Sequence, residues 1–166
     1  MADKESILAE IEIQRVRLHD LIDIKCNKLK EAVSSGIPVN EAEMECEYPL
    51  YTPPHLFKGS KPIAVLFDGE RVELTSWRKV YAEILRRCNA EKHDVLMELR
   101  NKVSGRERVI LSDKSDGMNV PVKLSDDLFA EAYFDTEWLI RTLTIRILGA
   151  VGFDYSHISI IVKSKV

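Results

Sequence analysis

The stretch Pro62-Ile63-Ala64-Val65-Leu66-Phe67-Asp68-Gly69-Glu70-Arg71-Val72-Glu73-Leu74 decides the fold. Two apolar runs meet at Asp68-Gly69, a dipeptide suited to a type I′ turn, because both central residues of that turn need positive φ. The stretch therefore predicts a β-hairpin, and strands joined this tightly are antiparallel.

Working outward toward the C-terminus, Thr75 or Ser76 is placed to cap a helix. Its apolar side, Trp77, Val80, Tyr81, Ile84, Leu85 and Cys88, recurs at helical spacing. Residues 91 to 103 predict a second short helix with Val95, Leu96 and Leu99 inward. Strands are predicted for Arg106 to Leu111, Val120 to Leu124, Leu128 to Phe134 and His157 to Val162. The loop Ser112 to Asn119, with Asp116-Gly117 at its centre, reads as a hairpin connection between the first two. Asp135 or Thr136 caps a last helix that buries Trp138, Leu139, Leu143, Ile147 and Val151, with Gly152 at the C′ position. Hairpins in place of βαβ units give an α+β fold with a mainly antiparallel sheet and two or three packed helices.

Toward the N-terminus the pattern changes. From Glu5 to Val33 the apolar residues Ile7, Ile11, Leu18, Leu21, Ile22, Leu29 and Val33 recur at spacings of mostly three, four and seven, with Asp3 as N-cap. This predicts a long amphipathic helix preceding the domain, and its apolar stripe must be covered by the domain or by another copy of itself. Residues 36–61 contain Gly36, Pro38, Pro49, Pro53, Pro54 and the acidic run Glu41, Glu43, Glu45 and Glu47. They read as an extended acidic connector whose Tyr48, Leu50, Tyr51, Leu56 and Phe57 lie along a surface groove. The predicted organisation is an association helix over 1–35, a linker over 36–61 and an α+β domain over 62–166.

With 45% hydrophobic and 31% charged residues the chain has the composition of a folded domain, not of a disordered one. It holds no apolar run long enough to cross a bilayer and no signal-like N-terminus, which predicts a cytoplasmic protein without membrane contact. Cys26, Cys46 and Cys88 are odd in number and widely spaced, so neither a disulfide framework nor a thiolate metal site is indicated. Residues 1–56 hold 6 Lys+Arg against 11 Asp+Glu, a net of −5, whereas residues 57–166 hold 18 against 16, a net of +2. Such a balance lacks the basic stripe of non-specific nucleic-acid binders and restricts any such contact to a local patch.

That patch is sought first among Arg78, Arg86, Arg87, Arg100, Arg106 and Arg108, whose planar guanidinium groups suit phosphate or carboxylate if they converge on one edge. The competing reading is a set of solvated ion pairs with neighbouring acids. Asp113, Asp116, Asp126, Asp127 and Glu131 are the acids from which a metal-dependent phosphodiesterase would be built, but no Asp is followed by a Glu-x-Lys triplet. His19, His55, His93 and His157 lack metal-ligand spacing, and Cys88 falls on an apolar helical face. No cofactor motif is present. Trp77 and Trp138 each follow a helix cap, where core packing is the ordinary role and exposure would mark a partner surface.

Around Ser76-Trp77-Arg78, Gly105-Arg106-Glu107-Arg108-Val109-Ile110-Leu111-Ser112, Val120-Pro121-Val122-Lys123-Leu124 and Gly149-Ala150-Val151-Gly152-Phe153-Asp154-Tyr155, the chain resembles a small uncharacterised bacterial module of restriction and mobile-element proteins. The resemblance covers residues 57–163 and implies a bacterial or phage-like, defence-associated setting without adding a site. Together these features predict a non-enzymatic interaction module, dimeric through the N-terminal helix, that offers an Arg-lined edge to a nucleic acid or protein. A small metal-dependent nuclease and a phage-type inhibitor acting through the acidic Glu41 to Glu47 segment are the alternatives.

Overall fold

The computed structural model describes residues 4–36, 43–104 and 108–165. The chain divides into two compact units, Met1–Cys46 with Ser164–Val166, and Glu47–Lys163. In the first, helix α1 runs over Lys4–Ser34. Arg15 pairs with Glu12 one turn away at 2.6 Å, and Ile13, Val16, Ile22, Ile24 and Val33 are exposed. Leu29 is half-buried. The side chains of Ile7, Ile11, Leu18 and Leu21, like the proposed cap Asp3, lie outside the described residues.

The second unit is α+β with antiparallel sheets. Its strands are β1 (Glu43–Pro49, continuing from the first unit), β2 (Lys61–Phe67), β3 (Glu70–Glu73), β4 (Val103–Ser104), β5 (Arg108–Val109), β6 (Leu111–Ser112), β7 (Pro121–Ser125), β8 (Leu128–Glu131) and β9 (Ile158–Lys165). Its helices are α2 (Trp77–Leu99) and α3 (Thr136–Arg141). One sheet has the order β1-β9-β2-β3, a second β6-β8-β7, and β4 with β5 forms a short ribbon.

The hairpin read from Asp68-Gly69 is present. Phe67 faces Glu70 across a two-residue turn, and Asp68 and Gly69 have φ of 49° and 85°, as a type I′ turn requires. Ala64, Val65 and Phe67 turn into the core beside Ile158, Ile160 and Val162 of β9. Helix α2 begins at Ser76, whose Oγ accepts from Lys79 N, and buries Val80, Tyr81, Ile84, Leu85 and Cys88 as the spacing predicts.

Four expectations are corrected. The second helix predicted over 91–103 is set off from the first by a kink at Lys92 (φ −125°, ψ 29°) and ends at Leu99, and Val95, read as inward, is exposed, whereas Leu96 is fully buried. The stretch read as linker joins the fold: its last strand residues lie in β1, Leu50 and Phe57 are fully buried, and Phe57 packs edge-on between Tyr48 and Trp77 at 5.7 and 5.3 Å. The compact unit thus starts at Glu47, not residue 62. The strand at Leu111–Ser112 pairs with β8, not β7, so the loop with Gly117 crosses over the sheet end and is not a hairpin. Lastly, Trp138 is exposed and the last helix changes pitch: Thr142–Leu148 is π-helical.

That π-helical segment has a local cause. Gly149 N–H reaches back five residues to Thr144 O at 2.9 Å, and the backbone approaches so closely that a Cβ on Gly149 would stand 3.1 Å from Thr144 O. The helix then closes on Gly152 (φ 64°), with Gly152 N–H donating to Gly149 O and Phe153 N–H to Leu148 O, a Schellman pattern with Gly152 at the predicted C′ position. Leu139, Ile140, Leu143, Ile147 and Leu148 all face the core. No helix among the described residues is long and apolar enough to cross a membrane.

Candidate functional site

Of the arginines singled out in the sequence, Arg78, Arg86 and Arg87 lie on α2 and Arg100 caps its end. Arg78 stands in the first turn of α2 and Arg100 just past its end, on opposite sides of the kink at Lys92. Arg86 donates from Nε to Lys123 O at 3.3 Å. Arg87 lies 3.7 Å over the Phe67 ring and pairs with Glu83 at 3.2 Å and Glu70 at 3.5 Å, tying α2 to the hairpin. Arg106 and the side chain of Arg108 lie outside the described residues. For Arg87 the solvated ion-pair reading holds, joined to packing on an aromatic ring.

The acids are similarly engaged. Glu131 is 2% exposed, and its carboxylate accepts three backbone N–H groups, from Asn119 at 2.7 Å, Val120 at 3.0 Å and Tyr133 at 2.8 Å. It fastens the crossing loop to β8, a structural use of a buried charge. Burial pushes the pKa of the enclosed Tyr81 hydroxyl well above the ordinary tyrosine value, and the charge of Glu131 adds to the effect, so the hydroxyl stays protonated. Asp116 and Glu131 line one cleft of about 160 Å³ with Ser112 and Asn119. Asp126 pairs with Lys123 at 2.7 Å, and Asp127 accepts from Ser125 at 2.8 Å and faces His93 at 3.5 Å. Among the described residues no three His, Cys, Asp or Glu side chains are grouped to hold a metal ion. Burial, with the Glu91 charge, pushes the Cys88 thiol up to about 12, so it stays protonated and packed.

A different constellation emerges on the last helix. Asp135 caps α3 by accepting from Trp138 N–H at 2.9 Å, which fixes the start of the helix and with it the outward direction of Trp138. Trp138 is 45% exposed and Ile145, seven residues on, 61% exposed. Tyr133, two residues ahead of the cap, is also exposed. The guanidinium carbons of Arg141 and Arg146 stand 5.4 and 5.6 Å from the Trp138 ring centroid, within cation–π range. The change to π-helical pitch after Arg141 brings Arg146, eight residues from Trp138, to that ring. Aromatic and Arg side chains are the residue types that dominate binding surfaces.

The sequence reading missed Arg141, Ile145 and Arg146 because a large side chain just after a helix cap ordinarily staples the helix to the sheet, which assigns Trp138 to the core. One signal was available: Arg141 and Ile145 fall three and seven residues from Trp138, marking a non-core face. Trp77 occupies the ordinary position instead, half-buried with its indole N–H donating to Ser60 O at 3.1 Å. Comparison with protein-family models, with curated proteins and with solved structures gave no match.

Proposed function

We propose that the chain is a non-enzymatic interaction module whose α+β domain binds an anionic partner through the face around Trp138, and that its N-terminal helix mediates self-association. One observation carries the first part: an exposed indole with two guanidinium groups beside it is a costly feature to leave in water unless something docks there. The binding surface therefore moves from the six arginines read in the sequence to Trp138, Arg141 and Arg146. The occupied carboxylate of Glu131 weighs against a nuclease. The apolar stripe with Ile11 and Leu18 motivates the second part, and the bacterial or phage, defence-associated setting implied by the resemblance belongs to the same proposal.

A Trp77→Phe protein retains Trp138 as its single indole and reports on this face alone. Titration with oligo(dT) and, separately, with polyglutamate is expected to shift or quench its emission with at least one of the two polyanions. Unchanged emission with both, at low salt, would overturn the reading.

A further inference from the structure

Resting on that reading, we infer that the partner is a single-stranded nucleic acid, with one base stacked on the Trp138 indole and Arg141 and Arg146 meeting the adjoining phosphates. The geometry distinguishes an open aromatic surface from a closed one. Arg87 sits 3.7 Å from the Phe67 centroid, so that ring face is filled. At Trp138 the two guanidinium carbons lie over the ring at 5.4 and 5.6 Å, a looser contact than that of Arg87 on Phe67, and nearly half the residue is open to solvent.

Charge supports the same occupant. Arg15, Arg71 and Arg87 each pair with a carboxylate, whereas Arg141 has no carboxylate at ion-pair distance among the described residues. Of the acids on this helix, Asp135 is spent on the cap, and Glu137 is the one that a bound phosphate chain must avoid. An acidic peptide would satisfy the guanidinium groups and leave the indole face unused. Duplex DNA hides its base faces inside the helix and offers phosphates alone, while a single strand offers both a π-face and a charge at each step. Exposed Tyr133 extends the aromatic surface toward the end of β8.

The test is fluorescence anisotropy with four labelled probes of equal length where applicable: oligo(dT), an abasic strand, a DNA duplex and polyglutamate. Oligo(dT) is expected to bind best, with Trp138→Ala weakening it about tenfold or more and Trp138→Phe much less. Arg141→Ala is expected to lower the salt slope for oligo(dT) by about 0.7. Equal binding of abasic strand and oligo(dT) would overturn the stacking inference and leave an anionic-partner face intact. Binding of polyglutamate alone, lost with Arg141→Ala, would overturn the nucleic-acid assignment but not the wider reading. Failure of all four probes would overturn both. Circular dichroism of each variant ensures that a lost signal is not a lost fold.

Discussion

Asp135 holds the backbone of Trp138 by accepting its amide N–H at 2.9 Å while the indole of the same residue points into solvent. The cap thus positions the platform. Asp135→Ala removes the acceptor at the first turn of a six-residue α-helix and is expected to cost about 1 kcal/mol in urea denaturation. It should also weaken ligand binding without touching ligand, and Asp135→Ser or Asp135→Asn should restore both properties.

Trp77 and Trp138 separate stability from binding. Trp77→Ala breaks the contact with Phe57 and the bond to Ser60 O and is expected to cost roughly 3 kcal/mol. Trp138→Ala removes a solvent-facing ring and is expected to stay within about 1 kcal/mol of the parent. Equal losses in urea midpoint would mean that Trp138 is a packing residue.

Glu131 is expected to behave as a structural carboxylate. Glu131→Ala leaves the N–H groups of Asn119, Val120 and Tyr133 without their acceptor, at a cost of roughly 3 kcal/mol. A variant as stable as the parent would return Glu131 to the list of free acids.

Acid destabilisation is expected to involve Asp127 and Asp154. Hydrogen bonds from Ser125, and then the neighbouring His93, hold the Asp127 carboxyl below the usual carboxylate range, and the backbone and side chain of Ser156 do the same for Asp154. A carboxyl whose folded value is depressed contributes stability that is complete above its unfolded value, about 3.9, and is lost as pH falls through the lower folded value. Thermal melts of Asp127→Asn and Asp154→Asn should therefore show a shallower loss than the parent below about pH 4.

Self-association is expected to fail when Ile11 and Leu18 are both changed to Asp. Light scattering should then give the mass of one chain where the parent gives a multiple of it. An unchanged mass would remove the helix from the proposal.

How much of this was legible depended on how local each determinant is. The Asp68-Gly69 turn, the Ser76 and Asp135 caps and the Gly152 stop are set by residues next to one another, and each was readable. The pairing of β6 with β8 was not, because it depends on Glu131 reaching amides 11 and 12 residues earlier. Phe57 read as a groove residue because its burial depends on Tyr48 and on Trp77, 20 residues on. The platform escaped notice for a third reason: a Trp just after a helix cap ordinarily packs on the sheet, whereas Trp138 shares its helix face with Arg141 and Ile145, and the π-helical pitch that follows brings Arg146 to it. Arg86 and Arg87 illustrate the same dependence on distant partners, since Lys123 O and Glu70 hold them from elements that the helix sequence does not display.

Amide chemical-shift mapping locates the face that meets the ligand. On titration with oligo(dT) and with polyglutamate, the account predicts that the largest changes for the bound probe fall on residues 133–149, with Trp138 and its indole N–H foremost and Arg78 and Arg100 nearly still. Changes centred on α2 around Arg78, Arg86 and Arg100, with the Trp138 indole unmoved, would contradict it and restore the arginine edge read from the sequence.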